Sequence, residues 1–270
     1  MALSIRQATP AEGVQWTRDA FRLFLRRPLP FTAMFIAFLL VALVATLVPV
    51  VGGVVMLMSL PLLSLGFMLG SRAAQNDLPV HPGLFIEPLR GERSRRNALL
   101  TLCGAYALCT VLIMTLSEWV DGGAFDRLQV LMAKGDEARA EMEAVLADPR
   151  LVWGLATRFG LAACLSVPFW HAPALVYWQG QGVGQALFSS TLAVWRCKGA
   201  FLMYSLAWVG VVALFGALVG LLFSLFDARQ LAGVIAMPAG LMFSTVFYVS
   251  LLATYEGCFN QADVPRQLTA

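Results

Sequence analysis

The sequence predicts an all-α membrane protein with six transmembrane helices arranged as three helical hairpins. The chain of 270 residues is 59% hydrophobic and only 13% charged, whereas soluble domains carry about a quarter charged residues. It also contains six apolar runs close to the ~20 residues that a helix needs to cross a bilayer. Because lipid offers no hydrogen bonds to the backbone, runs of this length form helices.

The six spans lie in a chain that we interpret as a single membrane domain, residues 1–270. The first apolar run is full length and follows an amphipathic stretch, so we interpret it as an uncleaved span and not as a signal peptide. The predicted spans are 29–49, 54–71, 97–117, 152–178, 200–226 and 231–255.

The distribution of basic residues predicts that both termini are cytoplasmic. With the N-terminus inside, 13 Lys and Arg residues fall in cytoplasmic segments and 5 fall in outer segments. Cytoplasmic loops carry the excess of Lys and Arg in membrane proteins. The five cysteines agree with this orientation, because none lies in the predicted outer loops, where disulfides would be favoured.

Each predicted hairpin follows a cytoplasmic amphipathic element with a basic boundary. The first is the segment 1–28, which contains "VQWTRDAFRLFLRRP"; the others contain "GLFIEPLRGERSRRNALL" and "GQALFSSTLAVWRCKGAF". Apolar side chains of such elements enter the headgroup region while arginines reach the lipid phosphates. The predicted contacts to lipid headgroups are Arg22, Arg26, Arg27, Arg95, Arg96, Arg196 and Lys198.

An acidic insert, residues 118–150, is predicted to form an outer helical cap between spans three and four. Two short apolar stripes at helical spacing indicate two short amphipathic helices, with Gly135-Asp136 as the turn between them. Its acidic residues could bind a divalent cation, but they lack the spacing of an EF-hand loop, so a solvated cap is favoured.

The sequence shows no catalytic signature, so we expect neither an enzyme nor a cofactor, a metal centre or nucleic-acid binding. There is no GxxxxGK[ST], HExxH or GxSxG motif and no metal-ligand spacing of Cys and His. The run "QGQGVGQ" follows a membrane span instead of a strand, so we interpret it as a turn. Gly216 and Gly220 form a GxxxG motif that suits close packing, either between chains or within one.

Ionisable residues at membrane depth are the candidate functional residues, because burying them costs a few kcal/mol. The candidate polar membrane site comprises Arg158, His171, Glu118, Asp227 and Glu256. Prolines within the spans predict helix kinks at Pro61, Pro168, Pro173 and Pro238.

Two interpretations of the fourth span stay open. His171 either hydrogen bonds to a carbonyl that Pro168 or Pro173 leaves free, or forms a proton or substrate site. Arg158 either reaches outer headgroups, or pairs with Glu118 or Asp227, or contributes to transport. The two lie thirteen residues apart, which is ~20 Å along a straight helix, so they do not share one ligand.

The chain resembles an uncharacterised family of six-span inner-membrane proteins of proteobacteria. The resemblance is carried by "AFRLFLRRP", "LSLGFMLGSRAAQ", "FWHAPALVYWQG", "AVWRCKGAFLMYSLAW" and "FYVSLLATYEGCF". It implies a multi-pass protein of the bacterial inner membrane. The chain is also loosely similar to the membrane domains that accompany some glycerophosphodiester phosphodiesterases, which lack catalytic residues, and this implies a role near lipids or in assembling a complex.

Two functions follow from these observations. The first is a non-catalytic scaffold or accessory subunit of a larger membrane assembly, with membrane lipids and other membrane-protein subunits as partners. The second is a small transporter or lipid-handling protein that uses the kinked fourth span.

Overall fold

The computed structural model describes residues 4–49, 51–134, 138–225 and 232–259. These ranges are almost entirely helical and contain no β-strand, only an isolated bridge between Ile5 and Phe259. The α-helices are α1 (Pro10–Arg26), α2 (Pro28–Thr46), α3 (Val51–Gln75), α4 (Glu87–Arg90), α5 (Arg93–Asp121), α6 (Ala124–Lys134), α7 (Arg139–Leu146), α8 (Pro149–Phe169), α9 (Ala172–Gln179), α10 (Val183–Arg196), α11 (Lys198–Leu225) and α12 (Ala232–Cys258).

Six helical stretches in the described ranges are long and apolar enough to cross a membrane, which confirms the predicted spans. Helices α8 and α9 together make the fourth stretch. The six stretches are Pro28–Thr46, Val51–Gln75, Arg93–Asp121, Pro149–Gln179, Lys198–Phe223 and Ile235–Cys258.

The spans do not all pack as simple pairs. Helix α2 packs against α3, and α5 packs against α8, as neighbouring spans of a hairpin do. The backbones of α11 and α12 lie close to α1, and the two helices meet each other through side chains such as the hydroxyls of Tyr204 and Ser250, 2.6 Å apart. Helix α11 lies at the edge of the bundle. In its most hydrophobic 18-residue segment, no described residue is buried.

Helix α1 is held between α11 and α12 by close backbone contacts. A Cβ atom on Gly13 would lie 2.0 Å from the carbonyl oxygen of Ala200, and a Cβ atom on Gly257 would lie 2.6 Å from the ring of Trp16. The Trp16 ring also packs edge-on against Phe201, with ring centroids 5.5 Å apart. The buried face of α1, with Trp16, Ala20 and Phe24, thus packs on protein, because these glycines let the helices approach.

The buried core lies at the end of the bundle that holds α1. Buried side chains cluster in the first turns of α2 and α5, in the last turns of α3 and α12, and in α9. Phe31, Leu69, Leu99 and Val176 have no exposed surface. The other halves of α2, α5 and α11 expose most of their large apolar side chains, which is the expected surface of a helix that contacts lipid.

The prolines act differently in different spans. The fourth span is interrupted after Phe169 and resumes at Ala172, with Pro168 before the break and Pro173 in the first turn of α9. Helices α3 and α12 continue through Pro61 and Pro238, so these prolines, where kinks were predicted, do not end either helix. A proline removes one backbone hydrogen bond and can bend a helix without ending it.

The insert between the third and fourth spans contains two short helices, α6 and α7, which pack against each other. Leu131 on α6 is buried, whereas Met132 and Leu146 are exposed. The predicted turn at Gly135-Asp136 lies outside the described residues, apart from its flanking helices. Asp148 caps the next helix, because its Oδ1 accepts a hydrogen bond of 2.9 Å from the amide of Arg150.

Candidate functional site

The break in the fourth span is bridged by a side chain from α10. The backbone amide of His171 donates a hydrogen bond to the hydroxyl of Ser190 over 3.0 Å, and that hydroxyl donates to the carbonyl of Val167, also over 3.0 Å. In an unbroken helix the amide of residue 171 would bond directly to the carbonyl of residue 167. Ser190 is fully buried and takes the place of that backbone bond.

The imidazole of His171 lies in a closed polar and aromatic cage. Its Nε2 is 3.3 Å from the hydroxyl of Thr254 on α12. The same hydroxyl donates to the carbonyl of Leu251 at 2.8 Å and accepts from the indole of Trp170 at 3.1 Å. Because the one hydroxyl proton is committed to Leu251, the geometry favours the tautomer in which Nε2 of His171 donates.

Aromatic rings enclose the rest of the imidazole. The rings of Phe201, Tyr255 and Phe259 lie edge-on to it, with centroids 5.5–6.0 Å away. Its Nδ1 has no hydrogen-bond partner among the described residues. The predicted hydrogen bond from the His171 side chain to a carbonyl freed by proline is therefore absent among the described residues. The imidazole points to Thr254 instead, and the Ser190 hydroxyl bonds to the backbone at the break.

A cavity of about 160 Å³ lies beside this cage. Trp170 belongs to both, because its indole donates to Thr254 and its side chain lines the cavity. The other lining residues come from α3, α5, α8 and α12: Leu60, Pro61, Ser64, Tyr106, Ser166, Phe169, Phe247, Tyr248 and Leu251. Pro61 of span two and the residues at the break of span four, Phe169 and Trp170, thus border one space.

The cavity wall is aromatic, with hydroxyl groups placed along it. The rings of Tyr106 and Phe169 meet edge-on at 5.1 Å, and Tyr248 stacks on Phe67 at 5.4 Å. Ser64 donates to the carbonyl of Pro61 at 2.8 Å, and Ser166 donates to that of Ala163 at 2.7 Å. Each serine hydroxyl keeps acceptor capacity, so the wall suits an apolar guest that carries a hydroxyl or amide donor.

Glu256 forms an ion pair that the sequence did not predict. Its Oε1 lies 3.7 Å from Nη2 of Arg72 on α3, and the two side chains are 23% and 8% exposed. The guanidinium of Arg72 also stacks on Trp178, 3.8 Å from the ring centroid. Arg72 lies one residue beyond the predicted second span, 54–71, so a search for charges near both ends of each span would have found it.

Arg158, another predicted polar residue, lies near the cap and not at His171. The guanidinium of Arg158 stacks on Phe125 of the cap, 3.9 Å from the ring centroid, so the structure gives it a cap contact instead of a pairing with Glu118. Asp227 lies outside the described residues. The structure instead buries Asp121, whose Oδ1 accepts from the amide of Gly123 at 2.8 Å and whose Cβ would lie 2.3 Å from a Cβ on Gly154.

The basic residues assigned to headgroup contacts fall into two groups. Arg27 pairs with Asp77 at 2.7 Å and donates to the carbonyl of Leu78, so it joins span one to the end of span two. Arg95 donates to the carbonyl of Tyr177 at 3.2 Å and so joins α5 to α9. The rest present a charged group at the surface: Arg22, Arg26 and Arg196 are exposed, Arg96 is half-buried, and Lys198 lies 5.1 Å from the Trp195 ring centroid.

A bacterial relative places the chain in a family. It is 31% identical over 261 residues to a probable inner membrane protein of Burkholderia thailandensis, and this alignment covers 96% of the chain and 94% of the relative. The chain therefore belongs to the same family of multi-pass inner-membrane proteins. Neither a protein-family model nor a solved structure matches it.

Proposed function

We propose that this protein is a non-catalytic, lipid-handling inner-membrane protein that holds the apolar end of a membrane amphiphile beside the break in its fourth span. The observation that carries the proposal is the cavity of about 160 Å³ at membrane depth, lined by four different spans. A cavity of about 150 Å³ with apolar walls accommodates a benzene-sized group. The space therefore fits the end of an acyl chain or a small ring.

The chemistry of the wall supports binding over catalysis. The described lining residues include no Asp, Glu, His, Lys or Arg. His171, the nearby base, contacts Thr254 and aromatic rings instead of the cavity. A general base needs a hydrogen-bonding path to the proton that it removes, and the described residues provide none from this cavity to Nδ1.

The proposal includes the orientation and the role of the cytoplasmic segments. We infer that both termini are cytoplasmic, because Lys and Arg are concentrated in the segments at the end of the bundle that holds α1. The amphipathic segments at this end then support the spans on the cytoplasmic side. The packed core supports this arrangement, since it fixes one end of the bundle and leaves the spans to contact lipid at the other.

A photoactivatable lipid with its diazirine at the end of the acyl chain tests the proposal. Leu60→Trp fills the cavity from α3, and Leu108→Trp adds the same ring to a 61% exposed site on α5 as the control. We expect crosslinks to peptides of α3, α5, α8 and α12 that Leu60→Trp removes and Leu108→Trp keeps. Crosslinking that is spread over exposed spans and is equal in both variants would overturn the proposal.

The scaffold role is the second candidate, and one observation favours it. A groove of about 380 Å³ lies between α6 and α7 of the cap, with an apolar surface from Val130, Leu131 and Val145 and a rim of Asp126, Arg127 and Glu141. An apolar groove outside the spans suits a helix of another membrane-protein subunit. Replacing residues 122–148 with a short linker would remove a co-purifying subunit if this candidate holds, and would leave the lipid crosslinks unchanged.

A further inference from the structure

We propose that a second pocket, separate from the cavity beside the fourth span, binds a phosphate group at the end of the bundle that holds α1. This pocket is a cavity of about 280 Å³ between α1, α3 and α12. Arg22 and Arg26 line it from successive turns of α1, and Gln75 lines it from the end of α3. The proposal does not depend on the function proposed above.

The two arginines present the donors that a phosphate requires. Residues four apart share one face of a helix, so both guanidinium groups border the same opening. Arginine binds phosphate oxygens through paired hydrogen bonds with a planar fork of donors. Both arginines are exposed, so their donors are free to turn towards a ligand.

The acidic group at this pocket is weakly engaged. Asp19 lines the pocket and pairs with Arg22 at 3.3 Å, but both side chains are more than half exposed. Exposed pairs of this kind contribute little to stability, so a phosphate can replace the carboxylate. With Asp19, Arg22 and Arg26 counted together, the ionised lining of the pocket carries a net positive charge.

A buried ion pair lies next to the pocket-lining Gln75. Gln75 lies beside Glu256, which pairs with Arg72 at 3.7 Å. Nη1 and Nη2 of Arg72 lack hydrogen-bond partners among the described residues, although the side chain is only 8% exposed. A reorientation of the Gln75 amide towards a ligand would connect the pocket to this pair.

The floor of the pocket is apolar. Leu23, Val249, Leu252 and Ala253 form it, so carbon atoms next to a phosphate would find an apolar surface. A phosphate ester therefore fits the whole pocket, either as the headgroup of an anionic phospholipid or as a free phosphate compound. The shared chemistry is a phosphate between two guanidinium groups.

Calorimetric titration of the purified full-length protein in a neutral detergent tests the site. The probes are dihexanoylphosphatidylglycerol, dihexanoylglycerol, which lacks the phosphate, and inorganic phosphate. The test variant is Arg22→Gln with Arg26→Gln. The control is Arg18→Gln with Arg93→Gln, which removes the same charge from two exposed arginines that do not line the pocket.

We expect the phospholipid to bind and dihexanoylglycerol not to bind. The test variant should weaken phospholipid binding by about tenfold or more, and the control by less than about twofold. Asp19→Asn should tighten binding, because it removes the competing carboxylate. Phospholipid binding at least about tenfold tighter than that of inorganic phosphate identifies a lipid headgroup, and equal affinity identifies a free phosphate.

The proposal fails if the two double variants weaken binding equally, because the effect then comes from overall charge. It also fails if dihexanoylglycerol binds as tightly as the phospholipid, or if Asp19→Asn leaves the affinity unchanged.

Discussion

The hydroxyl of Ser190 accepts the hydrogen bond that the amide of His171 would give to the carbonyl of Val167 in a continuous helix. One side chain from α10 thereby stabilises the break in the fourth span and satisfies both backbone groups. The break in turn places Trp170 at the cavity and His171 against Thr254. The cavity wall at Trp170 is therefore linked to the contact between α10 and the break in the fourth span. The other walls come from α3, α5 and α12, which are distant in sequence from α10.

Ser190→Ala removes this bridge and should destabilise the protein by about 1–3 kcal/mol, because two buried backbone groups lose their partner. The measurement is the free energy of unfolding in detergent. The control is Thr191→Ala on the same helix, whose exposed hydroxyl bonds only to the carbonyl of Leu187 in its own helix. A loss as large for Thr191→Ala would show that the bridge has no special role.

Arg72→Met should destabilise the protein by about 3–5 kcal/mol, because it leaves the carboxylate of Glu256 buried without a counter-charge. The double variant Arg72→Met with Glu256→Gln should recover part of this loss, since it removes the unpaired charge as well. Unfolding free energies of both single variants and the double variant give the coupling energy. A double variant less stable than either single variant, with additive losses, would contradict the pairing.

Gly154→Leu should disrupt the contact between α5 and α8, because even a Cβ at this position would lie 2.3 Å from the Cβ of Asp121. We expect a loss of about 1–3 kcal/mol, the usual cost of overpacking. The matched control is Gly160→Leu on the same helix, where no described atom lies within 4 Å of an added Cβ. Thermal unfolding of the two variants in detergent should show a lower midpoint for Gly154→Leu alone.

A cysteine at position 134 of the cap should react with a membrane-impermeant maleimide in intact spheroplasts if the cap lies outside. A cysteine at position 93, before the third span, should react only after the membrane is disrupted. Wild-type protein provides the background for its five native cysteines. The opposite labelling of the two positions would reverse the orientation inferred from the basic residues.

The spans were predictable because length and hydropathy alone determine which segments cross a bilayer. The segment "VQWTRDAFRLFLRRP" also indicated that α1 is amphipathic, because helical spacing shows which side is apolar, and its apolar residues Trp16, Ala20 and Phe24 are buried. What covers that face was not predictable, since the close contacts of Gly13 and Gly257 join segments more than 180 residues apart.

The candidate site was predictable only in part. Pro168 and Pro173 identified the region of the break from local chemistry alone. Ser190 resembles any other serine of an amphipathic helix, and its role depends on how α10 packs on α8 and α9. The Arg72–Glu256 pair likewise depends on the register between α3 and α12, which hydropathy does not determine.

The most direct test of the account is native mass spectrometry of the protein after mild extraction from its own membrane, alongside Leu60→Trp and Leu108→Trp. The account predicts a chain with a bound lipid mass that Leu60→Trp loses and Leu108→Trp keeps. A wild-type chain with no retained lipid, or equal retention in both variants, would contradict the proposal that the cavity beside the broken fourth span binds a membrane amphiphile.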